Sequence, residues 1–267
     1  MENHAFRFTG EAAVNYDRYL GPFLFEPYAI EMSHRLENCA GSVLEIACGT
    51  GRVTRQLCQR LSPQVQLIAT DLSADMLAVA QKELADQPIE FQVADAQNLP
   101  FRDNSFDVVV CQFGLMFLPD PNQGFREAFR VLKPGGKFYF STWDRSAKVP
   151  IFKIIFNENI LPLFPPEEEA RLTRPFSMYD PKMLLTLAQS AKFKNIVVEE
   201  VRLKSVAENA LQLVNGFLIK HSLGNEILTK DPNALVPLAK KMEAQIATQF
   251  GTPVVCELNA FLGVGEK

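Results

Sequence analysis

Three acidic residues stand at the ends of three successive strand-like runs. Glu45 lies in SVLEIA (42–47), Asp71 follows VQLIAT (65–70) and Asp95 follows IEFQVA (89–94). In an open parallel sheet, ligands bind outside the carboxyl ends of the strands, where the strand order reverses, so the three carboxyl groups are expected to face one crevice. The first run passes into a small-residue turn, ACGTG at 47–51. Glycine at 49 and 51 removes the Cβ that would keep a ligand off the backbone and admits left-handed angles. The next run, RVTRQLCQRL, has helical spacing. The turn is therefore expected at a helix N-terminus, where unpaired N–H groups favour an electron-rich ligand. These features outline a nucleotide-type cofactor site.

Each acid can be given a task. Asp71 lies 20 positions beyond Gly51 (71 − 51), the separation at which a carboxylate accepts from ribose hydroxyls in nucleotide-binding βαβ units. Asp95, followed by the small Ala96, suits an exocyclic adenine amine. Glu45 suits either orientation of the loop or a cationic amino group. Strand-end carboxylates favour a ligand carrying positive charge over a pyrophosphate. The dinucleotide fingerprint is also incomplete, because GTGRVT has Thr54 where a third glycine or alanine belongs. Plainer readings stand beside these: a tight structural turn, Asp71 as a helix cap and Asp95 as a turn residue. Cys48 reads as a small buried hydrophobe rather than a nucleophile.

The elements that must position these residues alternate between β-branched runs and helical patterns from 42 to about 142, the mark of βαβ units. Two further strands are read at 106–112 (FDVVVCQ) and 137–143 (KFYFSTW). Ser73 is expected to cap a helix through about Leu84, and Asp120 with Pro121 to open one ending near Leu132, stopped by KPGG at 133–136. Beyond Trp143 the reading is an apolar helix over 148–161, an irregular stretch over 162–176, a helix near 180–190 and a strand near 195–203. Ser205 with Glu208 suggests a capping box, Asp231 with Pro232 another helix start, and 252–263 a last strand. The fold class is α/β, a doubly wound, Rossmann-like, mainly parallel sheet. Its core covers 42–143, with an N-terminal lid at 1–35 and cap segments at 145–180 and 205–250 in a single domain.

At 267 residues the chain can bury a sizeable core. Its net charge of −4 gives no general reason to bind nucleic acid, and a small molecule becomes the expected partner. The N-terminus lacks the apolar run of a secretory signal, and the longest apolar stretch, 108–119, is shorter than a membrane span. The five cysteines are scattered and odd in number, without ligand spacing, so no metal site and a cytoplasmic location are expected.

The segments VLEIACGTGRVT, ATDLSADML, VADAQNLPF, FDVVVCQFGLMFLPD and REAFRVLKPGGKFYFSTW resemble, in order and spacing, the class I S-adenosylmethionine-dependent methyltransferases, in particular the small-molecule group of ubiquinone/menaquinone C-methyltransferases. The family's usual loop has glycine where this chain has Ala47. The resemblance implies that Glu45, Ala47, Cys48, Gly49 and Gly51 line the methionine part of S-adenosylmethionine and Asp71 its ribose. It puts Leu72 and Met76 on the adenine face and Asp95 and Ala96 at the adenine amine. Gln112, Phe113 and Phe117 would lie beside the sulfonium and the substrate entrance. It also implies a final antiparallel strand.

The expected function is methyl transfer from S-adenosylmethionine to a small, apolar or aromatic acceptor, releasing S-adenosylhomocysteine. The alternatives are a nonenzymatic donor-binding protein, an NAD-dependent oxidoreductase and a protein or RNA methyltransferase. Candidates for a general base are His4, His34, His221, Tyr16, Tyr19, Tyr28 and Asp17, none within a motif, so the catalytic group stays open, as does a homodimer. Tyr16, Tyr19 and Phe23 recur at helical spacing as a candidate lid. Phe23, Phe25, Phe152, Phe156, Phe164, Phe176 and Phe217 read either as ordinary packing or as an apolar cap.

Overall fold

The protein is represented by a computed structural model that describes residues 10–267. Seven strands form one sheet in the order β3-β2-β1-β4-β5-β7-β6. They are β1 (Ser42–Ile46), β2 (Gln66–Asp71), β3 (Ile89–Val93), β4 (Phe106–Gln112), β5 (Leu132–Trp143), β6 (Lys194–Ala207) and β7 (Val254–Glu266). The first five strands pair in parallel, and β7 runs antiparallel to β5. The strand order reverses between β1 and β4. Val43, Leu44 and Ile46 of β1 and Val109 and Val110 of β4 are fully buried, which is why these two strands read as unbroken apolar runs rather than alternating ones.

Two compact units divide the chain. One comprises 28–144, 178–201 and 260–267 and contains the paired strands described above; the other comprises 145–177, 202–259 and the described residues up to 27. In the second unit Phe152, Phe156, Phe176 and Phe217 pack on one another with ring centroids 4.9–6.4 Å apart, as interior rings do. Among the described residues no helix is long and apolar enough to cross a membrane.

Helix starts follow the capping chemistry of the sequence. Ser73 Oγ accepts from Met76 N at 3.3 Å to open Ala74–Glu83. Asp120 Oδ1 accepts from Asn122 N at 2.9 Å to open Pro121–Val131.

Five local expectations are corrected. β5 starts at Leu132 rather than 137, because the KPGG stretch is a bulged part of the strand whose glycines bond the main chain of Lys267. The segment 148–161 is a short helix, Pro150–Phe152, followed by a π-helical stretch, Lys153–Ile160. Ser205 lies inside β6, and the cap of Ala210–Val214 is Asn209, which accepts from Gln212 N at 2.9 Å while Gln212 Oε1 accepts from Glu208 N at 2.9 Å. Asp231 bonds Asn233 N in a turn, and the helix begins at Leu235. The run Tyr16–Phe25 is also π-helical, so Tyr16, Tyr19 and Phe23 do not share an α-helical face; the wider winding stacks Tyr16 on Phe25 at 5.1 Å.

Candidate active site

The turn after β1 is held from below by backbone pairing. Cys48 N donates to Thr70 O at 2.9 Å, and Gly51 N to Cys48 O at 3.0 Å. Gly49 and Gly51 adopt φ of 57° and 81°, the left-handed values the sequence anticipates. A Cβ built on Gly49 would meet nothing within 4 Å, so the loop is open there. The Arg52–Arg60 helix begins directly after it.

Asp71 closes β2 and reaches back to this turn. Its Oδ2 accepts from Gly49 N at 2.8 Å and its Oδ1 from Ser73 N at 2.8 Å. A carboxylate offers about four acceptor positions, so these backbone donors leave room for a ligand's hydroxyl. Burial raises the Asp71 pKa, opposed by the backbone N–H groups of Ser73, Gly49 and Leu72. Leu72, 70% exposed, follows it, while Met76 is buried. Asp95 forms a turn in which Oδ1 accepts from Gln97 N at 2.8 Å, and Ala96 is buried. The open loop, the spare acceptor positions of Asp71 and the exposed apolar Leu72 are the features an adenosine with a charged side arm requires.

Glu45 is different. It is 2% exposed and accepts from Thr54 Oγ1 at 2.6 Å. Burial pushes its carboxyl up to about 8, with Asp71 adding to the rise and Thr54 opposing it. Near pH 7 it is therefore mostly neutral and braces the turn against the first turn of the helix. Thr54, which in the sequence marked only a mismatch to the dinucleotide fingerprint, is its partner. The Cys48 thiol is held well above its ordinary value by burial and then by Glu45 and Asp71, which leaves it inert as a nucleophile.

Two non-glycine residues at the reversal of strand order adopt left-handed backbone: Ala47 after β1 and Phe113 after β4, both with φ 53°. Such conformations cost about 1–3 kcal/mol and persist where neighbours enforce them. At Phe113 the enforcement is visible: its N–H is shared between Ser141 O at 3.1 Å and Ser141 Oγ at 3.2 Å. Its ring stacks on Trp143 at 3.8 Å, within 3° of parallel, and Tyr28 meets both rings edge-on at 5.3 and 5.2 Å. Ala47 abuts Gly114, where a Cβ would lie 2.6 Å from Ala47 Cβ. The strand ends thus bring together the turn, Asp71 and an aromatic wall of Phe113, Trp143 and Tyr28. Trp143 and Tyr28 were not legible as partners of Phe113, because nothing in the local sequence links the three. Gln112 and Phe117 are partly buried beside this wall in sequence.

The candidate bases separate. His4 lies outside the described residues. His34 is exposed, with Nδ1 3.6 Å from Glu37 Oε2. His221 Nδ1 accepts from Leu223 N at 3.2 Å, which places the ring proton on Nε2, and burial pushes its pKa down to about 4. The Tyr28 hydroxyl donates to Val201 O at 3.1 Å. Tyr16 stacks on Phe25, the Arg18 guanidinium lies 5.4 Å from the Tyr19 ring centre, and Asp17 belongs to the same π-helical stretch.

A methyltransferase-domain family model matches residues 44–140. The demethylmenaquinone methyltransferase of Lactiplantibacillus plantarum is 36% identical over 170 residues, covering 58% of this chain and 70% of that protein. The ubiquinone/menaquinone biosynthesis C-methyltransferase of Hahella chejuensis is 38% identical over 128 residues, 46% of this chain and 51% of its own length. The chain therefore spans 51% to 70% of the length of these two relatives. In fold it is similar to phosphoethanolamine N-methyltransferase 2 of Haemonchus contortus, solved with phosphomonomethylethanolamine and S-adenosylhomocysteine, at a TM-score of 0.60 and 19% identity over 97% of this chain and 58% of that one.

Proposed function

The chain belongs to the class I S-adenosylmethionine-dependent methyltransferases, and from that premise we propose that it methylates a small apolar or aromatic molecule. S-adenosylmethionine is the methyl donor. In this reading Asp71 accepts from the ribose hydroxyls, Leu72 and Met76 flank the adenine, and Asp95 with Ala96 meets its amine. Gly49, Gly51, Ala47 and Cys48 offer backbone to the methionine arm, and Glu45 acts on that arm through the loop that it and Thr54 hold. Gln112, Phe113 and Phe117 stand on the acceptor side.

When bound, the donor supplies a methyl carbon already activated by its sulfonium. The protein's own residues have then to hold, align and keep dry. The Glu45–Thr54 brace and the Asp71–Gly49 bond fix the loop backbone, so little reorganisation remains when the reactants meet. The buried stack of Phe113 and Trp143 keeps the ends of β4 and β5 apolar, which in this reading helps exclude water from a reacting nucleophile.

The observation that carries the acceptor class is this buried aromatic cluster, Phe113 stacked on Trp143 at the ends of β4 and β5. The printed names of the curated relatives, which act in quinone biosynthesis, point the same way. The test is transfer of tritiated methyl from S-adenosylmethionine into a panel of quinols, phenols and small polar amines, with partition of the label into organic solvent. Label in the aromatic acceptors is expected. Label confined to polar amines would overturn the acceptor class.

A further inference from the structure

The helix Pro121–Val131 carries a row of polar groups along one face. Asp120, Gln123, Glu127 and Arg130 are spaced by three, four and three positions, which puts them on one side of a helix. All four engage the segment 95–103 that follows β3. Asp120 N donates to Gln97 Oε1 at 2.8 Å, and Gln123 Nε2 to Gln97 O at 3.1 Å. Glu127 Oε2 accepts from Leu99 N at 2.8 Å. Arg130 grips Glu127 through both carboxylate oxygens at 2.7 Å. The same guanidinium donates to Leu99 O at 3.0 Å, to Phe101 O at 2.8 Å and to Asp103 Oδ1 at 2.8 Å.

The row ends on the residue that matters for the donor. Gln97 is held by the helix on one side, and on the other its N–H donates to Asp95 Oδ1 at 2.8 Å and its side-chain amide to the same oxygen at 3.4 Å. Asp95 is thus oriented through Gln97, leaving Oδ2 for a ligand. Glu127 is only 7% exposed, and a buried carboxylate is an expensive way to pin a loop. Burial works against its charge, yet Arg130 and the Leu99 N–H hold it below the usual carboxylate range. Stability alone would be met as well by apolar packing; what the ionic fork adds is a defined register between helix and segment.

We propose that Gln97, Glu127 and Arg130 are positioning residues for the adenine end of the donor, fixing residues 95–103 so that Asp95 meets the exocyclic amine. The proposal rests on the reading of Asp95 given above. It is tested by calorimetry with two probes, S-adenosylhomocysteine and its purine-riboside analogue, which lacks the 6-amino group. Wild type is expected to prefer the amine-bearing probe by about 10-fold, the worth of one good hydrogen bond. Gln97→Ala and Glu127→Gln, which sets an amide NH2 against the Arg130 guanidinium where the second carboxylate oxygen accepts, should cut that preference to about 3-fold or less while binding the analogue as wild type does. A merely structural role would weaken both probes equally, and that result overturns the proposal. Gln97→Ala disturbs no buried charge and so keeps the test open should Glu127→Gln fail to fold. Asp95→Ala separates the two readings. If it abolishes the preference while Gln97→Ala and Glu127→Gln retain it, the positioning role falls and Asp95 stands. If Asp95→Ala leaves the preference intact, both fall.

Discussion

Replacing Gly114 by alanine probes how the ends of β1 and β4 fit together. The backbone of Gly114, at φ −101° and ψ −34°, is open to any L-residue, so the substitution carries no conformational penalty of its own. Its cost is steric. The new Cβ would lie 2.6 Å from Ala47 Cβ and 2.9 Å from Cys111 Sγ. The thiol can swing aside, but the Ala47 methyl is fixed to a backbone held at φ 53° and can move only with the cofactor loop. Overpacking of this kind costs about 1–3 kcal/mol. For a chain of this size each kcal/mol lowers Tm by about 2–4 °C.

The same geometry predicts rescue. Ala47→Gly alone relieves about 1–2 kcal/mol of left-handed strain. It gives back about 0.5–1 kcal/mol in backbone entropy and less than about 0.8 kcal/mol for a partly buried methyl, so it should be nearly neutral. In the double variant the 2.6 Å clash is gone and the nearest part of residue 47 is its Cα at 3.9 Å. A coupling of about 1–2 kcal/mol is therefore expected between the two sites. Thermal unfolding of the four proteins measures it, and S-adenosylhomocysteine affinity should follow the same pattern, since the displaced part is the loop. Additivity within about 0.5 kcal/mol would refute the reasoning.

Three further outcomes follow from the site. Because burial raises the Glu45 pKa from 4.5 to about 8, the folded chain keeps a proton that the unfolded chain has released; stability is full below about pH 4.5 and falls as pH rises through 8. At about 1.4 kcal/mol for each pH unit the ceiling is roughly 5 kcal/mol, and Glu45→Gln should flatten this slope in urea unfolding between about pH 5 and about pH 9; parallel wild-type and variant curves would sink it. Asp71→Ala should weaken S-adenosylhomocysteine binding by about 1–3 kcal/mol, and unchanged calorimetry would remove Asp71 from the donor site. Phe113→Ala, which breaks the stack on Trp143, should lower kcat/KM about 10-fold with donor affinity unchanged; a loss confined to donor affinity would contradict an acceptor-side role.

What the sequence made legible is what depends on neighbours in the chain. The strand ends at Ile46, Asp71, Val93 and Gln112, the caps at Ser73 and Asp120 and the left-handed glycines of the turn are set within a few residues, and each was read near where it lies. The early start of β5 escaped because its glycines pair with Lys267, far along the chain. The π-helical winding escaped because residues of 16–25 also recur at spacings of three and four, which by itself implies an α-helix. The Asn209 cap escaped because Ser205 is an equally good cap residue four positions earlier, and only the length of β6 decides between them. The aromatic wall escaped for the same reason as the helix-borne row on 120–130: its members meet across the sheet.

The three acids show how far a single residue's displacement along a strand reaches. Read as a pattern, Glu45, Asp71 and Asp95 are equivalent, each a carboxylate at a strand end. In the fold Glu45 precedes the last residue of β1, Asp71 is the last residue of β2 and Asp95 lies two positions beyond β3. The first is consequently sealed under the helix and takes a proton at neutral pH, becoming a brace with Thr54. The second ends its strand, half-buried and held by backbone N–H groups of the turns on either side. The third has left the sheet, and its orientation passes to Gln97 and the helix behind it. In the proposed site a cationic donor would therefore meet carboxyl groups held in different ways, and the differences arise from where each strand stops rather than from the residue type.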